Sequence, residues 1–190
     1  SAGSNLCRVS AGGRNIIDFE SDLLVQHDYT GTPLLYPTPN RVRNAMFLYE
    51  GQIYNQIKRG EPVFEHGLVH NEPWSHGKPE VKDESINLKT WIEFNENSSL
   101  FEAFPFKHRL EMDFTLYLYG IECKYSVINM DDKRIPFGFG IHPYFMKLCG
   151  DEGTYVTLPS RYVMDYTSDL LPTGRLIDVE NTIYDLTKPV

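Results

Sequence analysis

The sequence predicts an all-β fold, either a β-sandwich or a β-barrel. Of its 190 residues, 13% are aromatic, with 12 Tyr and 11 Phe, and these residue types favour strands. Residues 110–119 alternate apolar and polar side chains with a period of two, which is the pattern of a half-buried strand. No stretch shows the apolar spacing and the caps of an amphipathic helix. Short strands between regularly spaced turn residues are typical of sandwiches and barrels.

The predicted strands follow one another along the whole chain. Residues 45–49 and 52–57 are expected to form a hairpin around Glu50 and Gly51. The polar stretch 75–87 is interpreted as a surface loop, because strand patterning resumes directly after it. A chain of this length and pattern is expected to form a single domain over residues 1–190. The remaining predicted strands are residues 88–94, 110–119, 122–129, 155–158 and 175–179.

The net charge argues against two classes of partner. The chain has 18 Lys and Arg residues against 26 Asp and Glu residues, which gives a formal charge of −8. Binding to nucleic acid depends on clustered basic residues that meet the phosphates. A polybasic membrane anchor needs the same residues. We therefore expect neither nucleic acid nor a membrane surface as a partner.

The three cysteines indicate a reducing compartment. Cys7, Cys123 and Cys149 are odd in number and widely spaced, so they form neither a disulfide framework nor a paired metal motif. Cys123 lies in a predicted strand and is expected to be a buried small apolar residue. The first residues show no charged leader and no apolar stretch of the kind found in signal peptides. We therefore expect a cytoplasmic protein.

The spacing of the histidines does not favour a metal site. His66 and His70 are four residues apart, as the two ligands of a zinc-binding helix are. However, Gly67, Val69 and Pro73 disfavour a helix in this stretch. On a strand, residues four apart are separated by about 13 Å, which is too far to share one ion. We expect no metal and no other cofactor.

Three segments combine hydrogen-bonding side chains with glycines, prolines and aromatic residues. They are residues 37–42, residues 65–70 with the tryptophan that follows, and residues 136–145. Polar groups on an aromatic surface suit a sugar, because its hydroxyls need hydrogen-bond partners and its C–H faces stack on rings. The candidate site residues in these segments are Asn40, Arg41, His66, His70, Trp74, His142 and Tyr144.

In this order, the segments resemble the aldose 1-epimerase (galactose mutarotase-like) family. A fourth stretch, residues 171–174 with 184–186, resembles the family's next section. The resemblance implies a large antiparallel β-sandwich of the galactose mutarotase-like supersandwich type, with the sugar on the concave face of one sheet. We expect the chain to lack strands that the family has at both ends. The matching residues are Pro37 and Asn40-Arg41-Val42, then His66-Gly67-Leu68-Val69-His70 and Trp74, then Asn129 and Pro136-Phe137-Gly138-Phe139-Gly140-Ile141-His142-Pro143-Tyr144-Phe145.

The resemblance also implies a reaction, which is the interconversion of the α and β anomers of a free hexose. A base removes the proton of the C1 hydroxyl and an acid protonates the ring oxygen, so that the ring opens. Rotation about the C1–C2 bond and reclosure then give the other anomer. By the resemblance, His142 would be the acid and His66 would bond the neighbouring oxygens. Arg41 would hold a ring hydroxyl, and Asn40 would support its loop.

The other candidates are assigned to the substrate with alternatives left open. His70 is either a wall of the site or a plain strand residue. Trp74 and Tyr144 are either sugar contacts or parts of the core.

Two features bear on the substrate and on the base. The family's general base is a glutamate downstream of the His142 segment, and no residue of this chain matches it; Glu65 is expected to point to the sheet face opposite His66. His70 stands where many relatives have arginine, which argues against a phosphorylated sugar, although Arg43 compensates in part. The alternatives to a hexose mutarotase are a hexose-6-phosphate 1-epimerase and a non-catalytic carbohydrate-binding module.

Overall fold

The computed structural model describes residues 3–18, 30–147 and 157–187. Apart from a five-residue helix, α1 (Ser99–Ala103), and a 3-10 turn at Arg43–Ala45, the regular structure of these residues is all strand, which confirms the all-β prediction. The strands are β1 (Val9–Ala11), β2 (Arg14–Ile17), β3 (Leu34–Leu35), β4 (Met46–Tyr49), β5 (Gln52–Asn55), β6 (Ile57–Lys58), β7 (Glu61–Pro62), β8 (Ser75–His76), β9 (Glu80–Lys82), β10 (Ser85–Phe94), β11 (His108–Tyr117), β12 (Gly120–Asn129), β13 (Gly140–Ile141), β14 (Tyr162–Tyr166) and β15 (Pro172–Asp178).

The largest sheet is antiparallel and has five strands. Its order is β12-β11-β10-β8, and β9 also pairs with β10. In this register Phe94 lies opposite His108, and His108 lies opposite Asn129. The described residues also form five separate antiparallel pairs, namely β1–β2, β3–β13, β4–β5, β6–β7 and β14–β15.

The hairpin predicted from residues 45–57 is confirmed in β4 and β5. Tyr49 pairs with Gln52, so Glu50 and Gly51 form a two-residue turn. Both turn residues have positive φ, 48° and 80°, which is the backbone of a type I′ turn and matches the twist of the two strands. The position of the turn could be predicted because a two-residue turn depends mainly on the identity of its own two residues.

The surface loop predicted at residues 75–87 is wrong. This stretch contains β8, β9 and the beginning of β10, and Val81 pairs with Ile86 while His76 pairs with Thr90. The side chains of β8 and β9 are exposed. Edge strands of this kind carry charged residues without an apolar alternation, so the sequence pattern does not distinguish them from a loop.

The other predicted strands are displaced by a few residues or lie in part outside the described residues. Strand β10 begins three residues earlier than predicted, and β11 and β12 begin two residues earlier. Of the predicted strand 155–158, residues 155–156 lie outside the described residues, and Thr157 and Leu158 are not in a strand. Helix α1 is missing from the prediction because a five-residue helix is too short to show an apolar period.

The hydrophobic core lies between one face of the large sheet and the segments that cross it. From the sheet come Ile92, Phe94, Leu110 and Met112, all of them buried. Packing against them are residues 34–36, 68–74 and 100–106, which contribute the buried side chains Leu34, Tyr36, Leu68, Val69, Trp74, Leu100, Ala103, Phe104 and Phe106.

The apolar face of β11 is buried along only part of its length. Leu110 and Met112 are buried, whereas Leu116 is 49% exposed near the end of the strand. The edge strand β12 is exposed along most of its length, and Cys123 is exposed on it. The prediction that Cys123 is buried is therefore wrong. Its strand pattern is that of a buried position, but most of β12 is not covered by other residues of the described structure.

His108 is a buried titratable residue that packs against the core. It is 0% exposed, its ring stacks on Phe94 with centroids 4.2 Å apart, and its Nδ1 donates a hydrogen bond to the backbone oxygen of Phe106. Its Nε2 is buried without a hydrogen-bond partner. Burial lowers the pKa of His108 to about 4.

We expect this histidine to make the protein less stable in mild acid. Between pH 6.5 and 4 the unfolded state binds a proton that the folded state does not, so the free energy of unfolding falls by about 3 kcal/mol as the pH falls through this window. The variant His108→Phe should lose most of that dependence. Urea unfolding of both proteins at pH 7 and pH 4.5 measures the free energy of unfolding. An equal decrease in both proteins between these pH values would contradict the assignment to His108.

Candidate functional site

The first two sequence segments are joined by an antiparallel pairing. The N–H of Val42 donates to the oxygen of Phe64 (2.7 Å), and the N–H of His66 donates to the oxygen of Asn40 (2.9 Å). Arg41 and Glu65 are therefore cross-strand partners. Their side chains form an ion pair, with Nε of Arg41 3.3 Å from Oε2 of Glu65.

A left-handed turn places His66 at the end of this pairing. His66 has a φ of 60°, and Gly67 follows with a φ of 76°. The next residue, Leu68, donates its N–H to the oxygen of Tyr36 at 2.7 Å. Alternation of side chains between two faces requires extended backbone, so it does not hold at His66. The expectation that Glu65 points away from His66 therefore loses its basis.

The third segment runs alongside the first and carries His142 to His66. Strand β13 pairs with β3, and beyond it the N–H of His142 donates to the oxygen of Pro33 (3.1 Å). A Cβ on Gly138 would lie 2.8 Å from Cδ of Pro39, so a glycine at this position permits the close approach of the two segments.

The rings of the site are in contact. The ring centroids of His66 and His142 are 5.8 Å apart with an interplanar angle of 70°. Tyr144 stacks on His142, with the two ring centroids 4.9 Å apart and the rings nearly parallel. Tyr144 is 42% exposed, and its position depends on a hydrogen bond from its N–H to the oxygen of Gly31. The structure thus brings together Arg41, His66, His142 and Tyr144, the first and last of which are 103 positions apart in the sequence.

Partial burial lowers the pKa of His66. Glu65 opposes this change in the pKa of His66, while His142 and Arg41 act in the same direction as burial. His66 is therefore a neutral imidazole at pH 7, with one nitrogen that donates and one that accepts a hydrogen bond. This form suits a group that binds neighbouring sugar hydroxyls.

Two charged residues that were not among the predicted site residues border the site. Asp169 lies 3.9 Å from Arg43, and its backbone oxygen accepts a hydrogen bond from Nη1 of Arg41 at 3.4 Å. A hydrogen bond from Thr167 and the charges of both arginines lower the pKa of Asp169. The second charged residue is Glu65, which forms the ion pair with Arg41. Asp169 is 128 positions from Arg41, so no local pattern could have indicated it.

The other two predicted sugar contacts are Trp74 and His70. Trp74 is 6% exposed in the hydrophobic core, and its indole N–H donates to the oxygen of Val69, so the structure places its side chain in the packing of the core. His70 lies where the N-terminal segment crosses, since a Cβ on Gly3 would collide with its backbone oxygen. The packing alternative for Trp74 therefore agrees with its position.

A cavity of about 520 Å³ adjoins the histidine pair without being lined by it. Its walls include Arg41 and Arg43 together with Phe47, Phe104 and Phe137. Arg41 is the residue that the cavity shares with the histidine cluster. Acid–base chemistry needs titratable groups, and these lie in the histidine cluster, because the rest of the cavity wall is mainly apolar.

No three His, Cys, Asp or Glu side chains in residues 3–18, 30–147 and 157–187 are grouped so that they could hold a metal ion. In the same ranges, no helix has the length and apolar character needed to cross a membrane.

Comparison with known proteins decides the family. The model of the aldose 1-epimerase family matches residues 3–190. The chain belongs to the aldose 1-epimerase family. The resemblance stated from the three sequence segments is thereby confirmed. Among curated protein sequences, none matches this chain significantly.

Solved structures of the aldose 1-epimerase fold superpose on the chain. A galactose mutarotase-like protein from Clostridium acetobutylicum has a TM-score of 0.77 at 19% identity, covering 93% of this chain and 56% of its own. Galactose 1-epimerase from Lactobacillus acidophilus has a TM-score of 0.73 at 17% identity, covering 99% and 56%. A galactose mutarotase-like protein from Lactobacillus casei has a TM-score of 0.70 at 18% identity, covering 99% and 62%.

These similarities establish the fold of this aldose 1-epimerase family member. It is a galactose mutarotase-like β-sandwich, which confirms the predicted architecture and decides between sandwich and barrel. The chain spans between 56% and 62% of the length of these three structures. The activity, substrate and partners of the whole protein are therefore matters of proposal.

Proposed function

We propose that this protein interconverts the α and β anomers of a free, unphosphorylated hexose. The observation that carries the proposal is the meeting of His66 and His142, whose rings are 5.8 Å apart, in a chain of the aldose 1-epimerase family. Histidine suits acid–base work near neutral pH, because its ordinary pKa of about 6.5 lets it release and regain a proton. The ligand is accordingly a small sugar, bound without metal or cofactor.

In this proposal each residue of the cluster has one task. His142 protonates the ring oxygen as the C1–O bond opens, and takes the proton back on closure. Neutral His66 hydrogen-bonds the neighbouring oxygens, and Arg41 holds a ring hydroxyl. Tyr144 stacks on His142 and limits the orientations of its ring. The reaction also needs a base at the C1 hydroxyl, and the family resemblance assigns that role to a glutamate that has no match in these 190 residues.

Polarimetry of freshly dissolved α-glucose or α-galactose tests the proposal. We expect the protein to shorten the approach to anomeric equilibrium, relative to buffer and to heat-denatured protein. Chemical-shift changes of the protein on adding sugar measure binding independently of turnover. Binding without acceleration would identify a carbohydrate-binding module in place of an enzyme. Neither binding nor acceleration would overturn both interpretations.

A further inference from the structure

We propose that Glu65 is a specificity-determining residue, whose carboxylate neutralises Arg41 and makes the site select neutral sugars over sugar phosphates. The inference rests on the proposed function, because it concerns the same site. It goes further by naming the residue that sets the charge of the site and by predicting how selectivity changes when that charge is removed.

The ion pair between Arg41 and Glu65 is built into the backbone pairing. The two residues face each other across the strand pairing of residues 40–42 with 64–66, so their side chains leave the backbone side by side. The side chains of both residues are 43% exposed, and Nε of Arg41 is 3.3 Å from Oε2 of Glu65. A ligand at His66 therefore meets the two charges together.

The second guanidinium at the site is compensated in the same way. Arg43 lies 3.9 Å from the carboxylate of Asp169, whose backbone oxygen also accepts from Arg41. His66 adds no charge at pH 7, since partial burial lowers its pKa. Each arginine beside the histidine pair thus faces a carboxylate, and the two ion pairs have no net charge.

This balance of charges favours a neutral polyol over a phosphate ester. A phosphate monoester carries nearly two negative charges near pH 7 and is bound by cations that are free to meet its oxygens. A sugar hydroxyl both donates and accepts, so it can accept from an N–H of Arg41 while donating to an oxygen of Glu65. The carboxylate would repel a phosphate in the same position.

The experiment compares the variant Glu65→Gln with the wild-type protein on glucose and on glucose 6-phosphate. The amide keeps the size of the side chain and a hydrogen-bonding oxygen while it removes the charge. We expect the ratio of kcat/KM for glucose 6-phosphate to that for glucose to rise about tenfold in the variant, because one repulsive charge near the phosphate is gone. The wild-type preference for glucose should shrink with added salt, which screens these half-exposed charges.

The matched control is Glu84→Gln, which removes the same charge from an exposed position between β9 and β10. It should leave the selectivity ratio unchanged. If wild-type protein equilibrates glucose anomers and Glu65→Gln keeps the wild-type ratio, the inference is wrong and the proposed function stands.

A binding measurement separates this inference from the proposed function. Titration with inorganic phosphate, followed through the imidazole proton signals, should show tighter binding to Glu65→Gln than to wild-type protein. If no aldose is equilibrated by wild-type protein, the proposed function fails, and this titration alone decides the role of Glu65. Equal phosphate affinities would then overturn it.

Discussion

Replacing His142 by alanine is expected to slow anomer equilibration by about 10²- to 10⁴-fold, the usual contribution of a positioned general acid. The residue contacts both His66 and Tyr144 through its ring, and its side chain lies at the exposed end of the third segment. Removing an exposed side chain leaves the core untouched, so the unfolding midpoint in urea should stay near the wild-type value. The loss should therefore appear in kcat measured by polarimetry.

The matched control for this variant is His76→Ala. His76 is an exposed histidine of β8 whose ring contacts the backbone oxygen of Gly77. The His76→Ala variant should equilibrate sugar anomers at the wild-type rate. A His142→Ala protein that is folded and retains more than half of the wild-type rate would remove His142 from the reaction, and with it the acid–base mechanism proposed above.

Replacing Gly67 by alanine is expected to destabilise the fold by about 3–5 kcal/mol, which is the range of severe single substitutions. The residue has a φ of 76°, and an added Cβ would lie 2.2 Å from the oxygen of Tyr36 and 2.4 Å from its carbonyl carbon. Left-handed backbone alone costs an alanine about 1–2 kcal/mol. The rest arises because two backbone segments must move apart beside fully buried Tyr36.

Gly51→Ala provides the control, because it has the same backbone conformation without the contact. Its φ is 80°, and no atom lies within 4 Å of an added Cβ. We expect a cost of about 1–2 kcal/mol for this variant. Urea unfolding compares the two, and equal losses would show that the crossing at Tyr36 relaxes freely. Since Gly67 adjoins His66, Gly67→Ala should also reduce activity where it remains folded.

Much of the fold could be predicted because the signals are local. The alternation at residues 110–119 predicts β11 within two residues at either end, and the Glu50-Gly51 turn predicts the β4–β5 hairpin. The errors occur where the local sequence shows no alternation of apolar and polar residues. Strands β8 and β9 are polar and exposed, and become strands only by pairing with β10.

For the candidate site, sequence and structure contributed different things. Motif residues indicated the two histidines, Arg41 and Tyr144, because the chemistry of their side chains is visible in the sequence. The proximity of His66 and His142, which are 76 positions apart, depends on strand pairings between distant segments. The sequence could not decide whether Trp74 contacts the sugar or packs in the core, because the residues next to a tryptophan in the chain do not show whether its side chain is buried.

The strand-rich class, the β4–β5 hairpin and the motif residues that resemble the family could be predicted from the sequence, because they depend on side-chain type and short-range spacing. The charge of the site, in contrast, depends on contacts that form only in the folded protein. Glu65 meets Arg41 through the pairing of two segments, and Asp169 reaches it from 128 positions away. Electrostatic interactions depend on distance in space, and that distance is determined by which strands pair and how the chain crosses the sheet.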